Sequence, residues 1–387
     1  MTKVFMPCIG LDHIKRGFEA FTQETFNSLK NVGELEITVF KGSGPVDDKQ
    51  KNLWHISRDS NLGKIAGAII GRLTRRGPFL GSLLVEQFTF FPGFATQILR
   101  HKPDLIYYGD YDLGALCWWL RKLLKLDFRM LLFNGGPSPY PHNRCDLVQQ
   151  ITPYQYSKAI EHGEAPGRHH VLPHAIDMNH PKEFKPEQKG ILRQQLGLPS
   201  DRKIILSVGS IDVSHKRMDY LVKEVSMLPE PRPYLIMLGQ VCDETPTVIT
   251  LANKLLGVEN YAIRSVPRDQ VDAYYQASDV FVLCSLMEGF GLVYVEAMAN
   301  GLLCLAHNNG VTQYIIGTNG RLGDFTQPQQ LKDLLEQSLY TKEEHNLKTE
   351  RQQYVYDKFS WAALRSDYIR LLVQSAAVEQ SAEGKTD

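Results

Sequence analysis

Short apolar runs of strand length alternate with segments of helical periodicity from the first residues of the chain onward. In the first part of the chain this pattern predicts four strands, at 3–9, 35–40, 104–108 and 128–133, and two helices, at 17–29 and 113–124. Alternation of this kind is typical of crossover units, in which helices join parallel strands. We therefore predict a doubly wound α/β domain over residues 1–175.

A segment rich in Pro, Lys and Glu follows Pro173 and is typical of a linker. The alternation then restarts and predicts five more strands, at 203–208, 233–238, 261–263, 280–284 and 302–306. A second α/β domain is expected over 190–360, a helix over 361–376 that returns to the first domain, and a flexible tail over 377–387. The predicted fold class is two Rossmann-like doubly wound domains facing across a cleft, where ligands bind at the carboxyl ends of strands.

Composition excludes several classes of protein. The 387 residues, 43% of them hydrophobic, are enough for two apolar cores. The 43 basic residues equal the 43 acidic ones, so bulk charge gives no argument for a nucleic-acid partner. No apolar run approaches the roughly 20 residues that span a bilayer. The six cysteines are scattered without metal-ligand spacing, which favours reduced core thiols, so we expect a cytoplasmic protein.

The strongest candidate for chemistry is the string from Ser285 to Gly301, which follows the predicted strand at 280–284. It places backbone N–H groups and glycines at a helix start and sets Glu288 and Glu296 eight positions apart, the second about two turns into the helix. If both positions are helical, they differ by about 80° around the axis and can address one ligand. Carboxylates bind hydroxyls and helix N-termini bind anions, so the string suits a polyhydroxyl ligand with a phosphate. For either glutamate alone, a dipole residue or a solvated helix position is the alternative.

This Glu-x7-Glu string resembles the signature of the family 4 retaining glycosyltransferases, which have the two-domain GT-B fold. The resemblance is loose in the first domain and tight from Ser207 to Gly320. It implies that Glu288 contacts hydroxyls of the donor sugar and that Glu296 holds the ribose hydroxyls. The backbone amides that it places along the sugar phosphate are those of Gly289, Phe290, Gly291 and Leu292.

A second element of the resemblance follows the predicted strand at 203–208. The family usually has Gly-Arg after this strand and Lys-Gly before the next helix, with both cations on the donor diphosphate. Lys216 matches the lysine, whereas Ser210 stands at the arginine position. The resemblance therefore implies that Arg217 or a residue of the first domain replaces the missing cation, or that leaving-group stabilisation is weaker. An exposed helix start at Lys216 and Arg217 is the alternative.

Two further segments are similar to parts of the same family. Arg264 and Val266, after the strand at 261–263, stand where related enzymes hold the nucleotide base, largely through backbone atoms. His174 stands at the interdomain link, where the family has Asn, and we interpret it as a structural residue rather than a catalyst.

The first domain is expected to hold the acceptor. Gly10 and Gly17, after the first strand, are similar to the family's glycine-rich loop, although the usual adjacent glycine pair is missing. They would let backbone approach the diphosphate or the acceptor. Asp110 follows the strand at 104–108, where related enzymes keep an acceptor-orienting histidine or acidic residue; helix capping is its alternative role.

The stretch 64–102 combines arginines with large apolar side chains, namely Arg72, Arg75, Arg76, Phe79, Leu80, Phe88, Phe90, Phe91 and Phe94. Related enzymes with lipid acceptors use such surfaces to contact membranes. An amphipathic helix pair packed on its own sheet gives the same pattern. The sequence leaves open whether this stretch makes peripheral membrane contact.

Together these features predict a retaining glycosyltransferase that moves a hexose-type sugar from a nucleoside-diphosphate sugar to a hydroxyl acceptor. Catalytic roles are expected for Glu288, Lys216 and Asp110, with no metal and no cofactor besides the donor substrate. A glycoside hydrolase is disfavoured because its two carboxylates must flank one bond from opposite sides. A nucleotide-sugar epimerase of the same fold, or a catalytically weak nucleotide-sugar-binding protein, would act without an acceptor and stays open.

Overall fold

The structure is a computed structural model that describes residues 1–14, 17–136, 140–178, 180–181, 186–341 and 346–377. It divides into two compact units. The first comprises Met1–Asp177 together with the described residues from Ala363 onward, and the second comprises Met178–Ala362. The expected tail from 378, residues 15 and 16 of the opening loop and linker residues 182–185 lie outside the described residues.

The first unit is built on seven strands: β1 (Thr2–Pro7), β2 (Leu35–Lys41), β3 (Gln50–Asn52), β4 (Leu105–Tyr108), β5 (Arg129–Asn134), β6 (Leu147–Gln150) and β7 (His169–Val171). They form one parallel sheet in the order β3-β2-β1-β4-β5-β6-β7. Its helices are α1 (Gly17–Leu29), α2 (Asn61–Leu73), α3 (Gly77–His101), α4 (Tyr111–Leu124) and α5 (Pro153–Glu161).

The second unit is built on six strands: β8 (Ile204–Val208), β9 (Tyr234–Leu238), β10 (Tyr261–Arg264), β11 (Val280–Leu283), β12 (Leu303–His307) and β13 (Arg321–Gly323). They form a second parallel sheet in the order β10-β9-β8-β11-β12-β13. Its helices are α6 (Pro186–Gln195), α7 (Met218–Ser226), α8 (Thr245–Leu255), α9 (Val271–Ala277), α10 (Leu292–Ala299), α11 (Gly310–Ile316), α12 (Gln330–Leu339) and α13 (Asn346–Phe359).

The last described helix, α14 (Trp361–Ala377), carries the chain from the second unit into the first. Its Tyr368 is fully buried. The Tyr368 hydroxyl donates to the Pro173 carbonyl at 2.7 Å and lies 3.2 Å from the Gln149 side-chain nitrogen, which donates to it. These hydrogen bonds fix the helix to the rest of the first unit.

The two parallel sheets confirm the predicted α/β fold class. Strands buried on both faces explain the continuous apolar runs, as in β8, where Ile204, Ile205 and Leu206 are fully buried. In each sheet the strand order reverses at one point, between β1 and β4 and between β8 and β11. Loops that leave neighbouring strands at such a switch point form a crevice at the carboxyl edge of the sheet.

Candidate functional site

The switch point of the second sheet brings together two loops, residues 209–217 after β8 and residues 284–291 after β11. Lys216 ends the first loop and Glu288 lies in the second. The Lys216 ammonium donates to Glu288 Oε1 at 2.6 Å, with the side chains only 15% and 11% exposed. The sheet topology thus joins two predicted catalytic residues that are 72 positions apart.

The start of α10 depends on a glycine. Gly291 is the N-cap at φ +83°, in the left-handed region, and a Cβ there would lie 2.7 Å from the Tyr294 ring. The helix begins at Leu292, so Glu288 lies in the loop and Glu296 is the fifth residue of the helix. The 80° relation was expected only if both positions were helical, so it does not apply here. The placement of Glu296 two turns into the helix is wrong, since it lies little more than one turn from the start. The amides around Gly291 and Leu292 remain at the helix N-terminus, where an anion is favoured.

Glu296 is 7% exposed and held by two partners that the sequence analysis missed. The Tyr275 hydroxyl donates to Glu296 Oε2 at 3.0 Å, and the Arg268 guanidinium pairs with Oε1. Burial raises the pKa of Tyr275 well above its usual range, so its hydroxyl stays a donor. Neither partner has a recognisable spacing to Glu296 in the sequence. Arg268 lies in the turn between β10 and α9, and Tyr275 lies in α9, so both contacts cross to α10 from another element.

Ser210, at the position where a cation was missing, organises the loop after β8. Its hydroxyl donates to the Asp212 carboxylate, which also accepts from the backbone amides of His215 and Lys216. Burial acts to raise the pKa of Asp212, but these hydrogen bonds outweigh it and hold that pKa below its usual range. Asp212 therefore carries a negative charge inside the loop that ends at Lys216.

Arg217 was one candidate to replace the missing cation, and in the structure its side chain is held by other contacts. Its backbone is left-handed at φ +53°, which non-glycine residues rarely adopt. The guanidinium donates to the Phe325 carbonyl at 2.9 Å and lies 4.5 Å from the centre of the Tyr220 ring. It stabilises the entry to α7 instead of adding charge beside Glu288.

Arg264 and Val266 lie at the edge of the second sheet. Arg264 ends β10, which is separated from β8 by β9. Its guanidinium donates to the Leu196 carbonyl at 2.7 Å and to the Tyr274 hydroxyl at 3.1 Å, and its carbonyl accepts from the Gly239 amide. The Arg264 side chain thus has a structural role, and Val266 is half-buried just beyond the strand.

The predicted residues of the first unit lie at the corresponding edge of the first sheet. Gly10 follows β1 and Asp110 follows β4, the two strands at the switch point. A Cβ at Gly10 would lie 2.4 Å from a carboxylate oxygen of Glu19 in α1, so a larger residue would displace this loop. Gly17 begins α1. Asp110 is the N-cap of α4 but its side chain makes no capping hydrogen bond.

The stretch 64–102 forms most of α2 and α3, and its large apolar side chains divide between buried and exposed positions. Phe90 and Phe94 are fully buried in the core of the first unit, whereas Phe79 and Phe88 are 63% and 56% exposed. In the part of the chain that the structure describes, no helix is long and apolar enough to cross a membrane.

Comparisons with known proteins agree with this geometry. Residues 188–355 match the family profile described as "Glycosyl transferases group 1". The chain is 30% identical to a D-inositol 3-phosphate glycosyltransferase 2 of Catenulispora acidiphila, over 67% of the chain and 69% of the relative. It is 32% identical to the mannosylfructose-phosphate synthase of Agrobacterium fabrum, over 41% of the chain but only 37% of that protein.

A solved structure of Anabaena HepE in complex with UDP and glucose has the same fold. It aligns over 97% of this chain and 100% of its own with a TM-score of 0.73, at 15% sequence identity. Two doubly wound sheets of this kind define the GT-B class of nucleotide-sugar-dependent enzymes. The chain belongs to the group 1 glycosyl transferases, the family whose Glu-x7-Glu signature its sequence resembles, and it transfers sugars from nucleotide sugars.

Proposed function

We propose that the enzyme moves a hexose-type sugar from a nucleoside-diphosphate sugar to a hydroxyl acceptor, with retention of configuration and without a metal ion. The observation that carries this proposal is the Lys216–Glu288 ion pair at the switch point, beside the N-terminus of α10. It places a cation, a carboxylate and a helix N-terminus around one position, which matches a sugar phosphate.

In the proposed reaction the bond between the sugar and the diphosphate breaks, and the leaving diphosphate gains negative charge. Lys216 and the amides from Gly289 to Leu292 stabilise that charge, as preorganised donors in a partly buried site do. Glu288 orients the sugar by accepting hydrogen bonds from its hydroxyls. The acceptor hydroxyl enters on the face that the diphosphate leaves, which gives retention, and its proton departs with the leaving phosphate.

Glu296 is proposed to hold the ribose hydroxyls of the donor. Arg268, its partner, is 59% exposed, so its side chain can turn toward solvent when the ribose binds. Tyr275 is fully buried and would keep its hydrogen bond to the other oxygen. The Glu296 carboxylate therefore stays oriented while one of its oxygens becomes available to the ligand.

The charges of the two loops support the proposal that no metal ion is needed. The Glu288 carboxylate is already paired with Lys216, and the Asp212 carboxylate already accepts from the Ser210 hydroxyl and two amides. A Mg²⁺ ion that bridges phosphates is usually held by one or two carboxylates with lone pairs to spare. Lys216 and the helix N-terminus supply the positive charge instead.

The proposal is tested by thermal-shift measurements with UDP-, GDP- and ADP-sugars, each with and without magnesium, on the parent and on Glu296→Ala. We expect one donor to stabilise the parent, independently of magnesium, and to stabilise the variant much less. UDP-glucose is the first donor to test, since the Anabaena neighbour was solved with UDP and glucose. A thermal shift that requires magnesium would contradict metal independence. A thermal shift that persists in Glu296→Ala would contradict the role of Glu296 in donor binding.

Turnover with the identified donor then separates the proposal from its alternatives. Two relatives carry a phosphorylated compound in their names, so phosphorylated sugars and polyols belong in the acceptor panel beside lipid acceptors. A transferase releases nucleoside diphosphate in proportion to an added acceptor. An epimerase would convert the donor without any acceptor, and a binding protein would release nucleotide slowly under all conditions.

We also propose that α2 contacts an anionic membrane surface. Its small residues Gly67 and Gly71 are buried against α3, and Gly63 against Ser57, whereas Ile65, Ile69 and Leu73 are 62%, 58% and 78% exposed. Large apolar side chains thus face outward where a helix packed on its own sheet would bury them. Exposed basic residues flank them at Lys64, Arg72 and Arg75, the combination of an interfacial helix on anionic lipids.

A further inference from the structure

Two histidines and a carboxylate form a cluster in the first unit, apart from the residues assigned above. His13 lies in the loop after β1, His55 follows β3 and Glu86 belongs to α3. One ring nitrogen of each histidine and one oxygen of Glu86 lie within 4.8 Å of one another. The sheet and α3 thus bring together three potential ligands from three separate segments.

Hydrogen bonds to the backbone favour one tautomer of each ring. His13 Nδ1 lies 3.2 Å from the Leu11 carbonyl oxygen and 2.9 Å from the Ser43 hydroxyl, which can accept from the same N–H. His55 Nδ1 lies 3.3 Å from the Leu53 carbonyl oxygen. A carbonyl oxygen can only accept, so in each neutral ring the proton is on Nδ1. Each Nε2 then presents a lone pair, which is the state that a metal ligand requires.

The two Nε2 atoms are shielded from solvent, although His13 as a whole residue is not buried. Nε2 of His13 and Nε2 of His55 are both buried and have no hydrogen-bond partner among the described residues. The His55 side chain is 9% exposed and the Glu86 side chain is fully buried, with Glu86 Oε1 4.0 Å from His55 Nε2. Acceptors that face one another away from water are unfavourable unless a cation lies between them.

The neighbouring groups hold this arrangement in place. Arg58 donates from Nε to Glu86 Oε2 at 2.6 Å, and the Arg58 backbone amide donates to Oε1 at 3.1 Å. Each carboxylate oxygen has two lone pairs, so Oε1 can still bind an ion. The His55 ring lies over Gly42, where a Cβ would approach the ring to 2.3 Å. Outer-sphere partners of this kind orient the ligands of metal sites.

We propose that His13, His55 and Glu86 bind a divalent transition-metal ion such as Zn²⁺. Two neutral imidazoles and one carboxylate are ligands of Zn²⁺ and similar ions, whereas Mg²⁺ and Ca²⁺ prefer oxygen ligands throughout. Zinc–nitrogen bonds of about 2.0–2.1 Å put ligand atoms about 3.3 Å apart, so binding closes the cluster by roughly 1 Å. The ion ties the loop after β1 to the segment after β3 and to α3.

The site is separate from Lys216, Glu288 and Glu296, which belong to the second unit, so zinc binding can be measured independently of donor binding. Its role in the first unit is structural, because an ion that binds only the folded state stabilises it. The ion lies near the opening loop that follows β1 and would restrict that loop.

The test is isothermal titration of the full chain with Zn²⁺ after chelator dialysis. We expect one equivalent to bind to the parent, and binding to be lost in His13→Ala and in His55→Phe. The phenylalanine keeps the ring volume over Gly42 and removes only the nitrogens, so the variant should fold, which circular dichroism checks. The matched control His162→Ala removes an exposed histidine outside the cluster and should bind zinc like the parent.

A melting-temperature measurement gives an independent readout. Zn²⁺ should raise the melting temperature of the parent and of His162→Ala but not that of His55→Phe, and Mg²⁺ should leave all three unchanged. Equal zinc binding by the parent and His55→Phe would overturn the proposal. That result is also the one expected if the zinc were bound by the other buried group, His142, Glu164 and His169. The proposal would also be overturned if the parent failed to bind zinc. Both of these results leave the proposed sugar transfer untouched, because donor binding is measured separately with nucleotide sugars.

Discussion

At the scale of single residues, the Lys216–Glu288 pair shows what the sequence could and could not predict. The signature and the lysine were recognisable because each follows a buried strand at a helix start. Their direct contact depends on β8 and β11 being neighbours, which no local pattern encodes. Arg268 and Tyr275 were missed for the same reason, since only the folded chain brings them to Glu296.

Lys216→Met should lower kcat/KM with the identified donor by about 100- to 1,000-fold, the usual effect of removing one donor that stabilises charge in the transition state. The control is Lys223→Met, which removes an exposed lysine that pairs with Asp219 at 2.8 Å. Exposed pairs contribute little, so the control should keep the parental rate. Initial rates of nucleoside-diphosphate release measure both variants, and equal rates for Lys216→Met and the parent would remove Lys216 from the mechanism.

His174 should make the stability of the first unit depend on pH. Burial between Phe21 and Phe133 lowers the pKa of His174 to about 3, whereas in the unfolded chain it is about 6.5. Below pH 6.5 the unfolded state therefore binds a proton that the folded state does not, and stability falls as the pH drops. At pH 5 this loss is about 2 kcal/mol relative to pH 7.

Urea unfolding at pH 7 and pH 5 checks this dependence. His174→Gln should lose about 2 kcal/mol less between the two pH values than the parent, because glutamine does not titrate. Tryptophan fluorescence reports mainly on the first unit, which contains Trp54, Trp118 and Trp119 of the four tryptophans. Equal losses in the parent and the variant would show that His174 does not titrate as described.

At the scale of elements, polarity decided which strands could be predicted. The predicted strands, which are largely apolar, were located within about two residues, and α1 was predicted with both ends correct. The short strands β3, β6, β7 and β13, of three or four residues each, were missed. Strand β3 has the sequence Gln-Lys-Asn, so only its pairing with β2 makes it a strand.

Helix α2 shows a second limit of the sequence. The stretch was open to two interpretations because apolar residues alone do not say which face is buried. In the structure the buried face of α2 is the one with glycines four positions apart, at 63, 67 and 71. A Cβ at each of them would lie within 2.6 Å of backbone or side-chain atoms. Close packing on α3 through Gly67 and Gly71 leaves the larger apolar side chains outside.

The double variant Ile65→Ser with Ile69→Ser should bind vesicles of anionic lipid at least tenfold more weakly than the parent. Each exposed isoleucine contributes about 1.5–3 kcal/mol when fully buried in lipid, and neither touches the buried face of α2. Co-sedimentation with anionic and with purely zwitterionic vesicles measures the effect. Leu123→Ser, at a 74% exposed position on α4, is the control and should bind like the parent. Unchanged binding by the double variant would contradict a membrane contact through α2.

At the scale of the whole molecule, the alternation of strands and helices predicted two doubly wound sheets. Parallel sheets need long crossover connections, so the chain displays its topology as a repeating pattern. The strand order within each sheet had to come from the structure. The hydrogen bonds that fix α14 in the first unit could not be predicted from the sequence either, since Tyr368 lies 195 residues from Pro173 along the chain.

Tyr368→Phe should destabilise the first unit by about 1–3 kcal/mol, because it leaves the Pro173 carbonyl and the Gln149 amide buried without their partner. Tyr111→Phe is the matched control in the same unit, since its hydroxyl donates to the Pro141 carbonyl near solvent at 3.3 Å. Urea unfolding followed by tryptophan fluorescence measures both variants. A loss no larger than that of the control would mean that water or a shifted side chain replaces the Tyr368 hydroxyl.

Helix α14 also determines the order in which the enzyme can be completed on the ribosome. The second unit is continuous in sequence, so its residues emerge together and it can finish folding during synthesis. The first unit lacks Tyr368 and the buried Leu372 until translation has passed residue 377. Although domains generally fold in the order in which they are translated, the domain begun first is here finished last, and a nascent chain stalled before α14 would present an incomplete apolar core to chaperones.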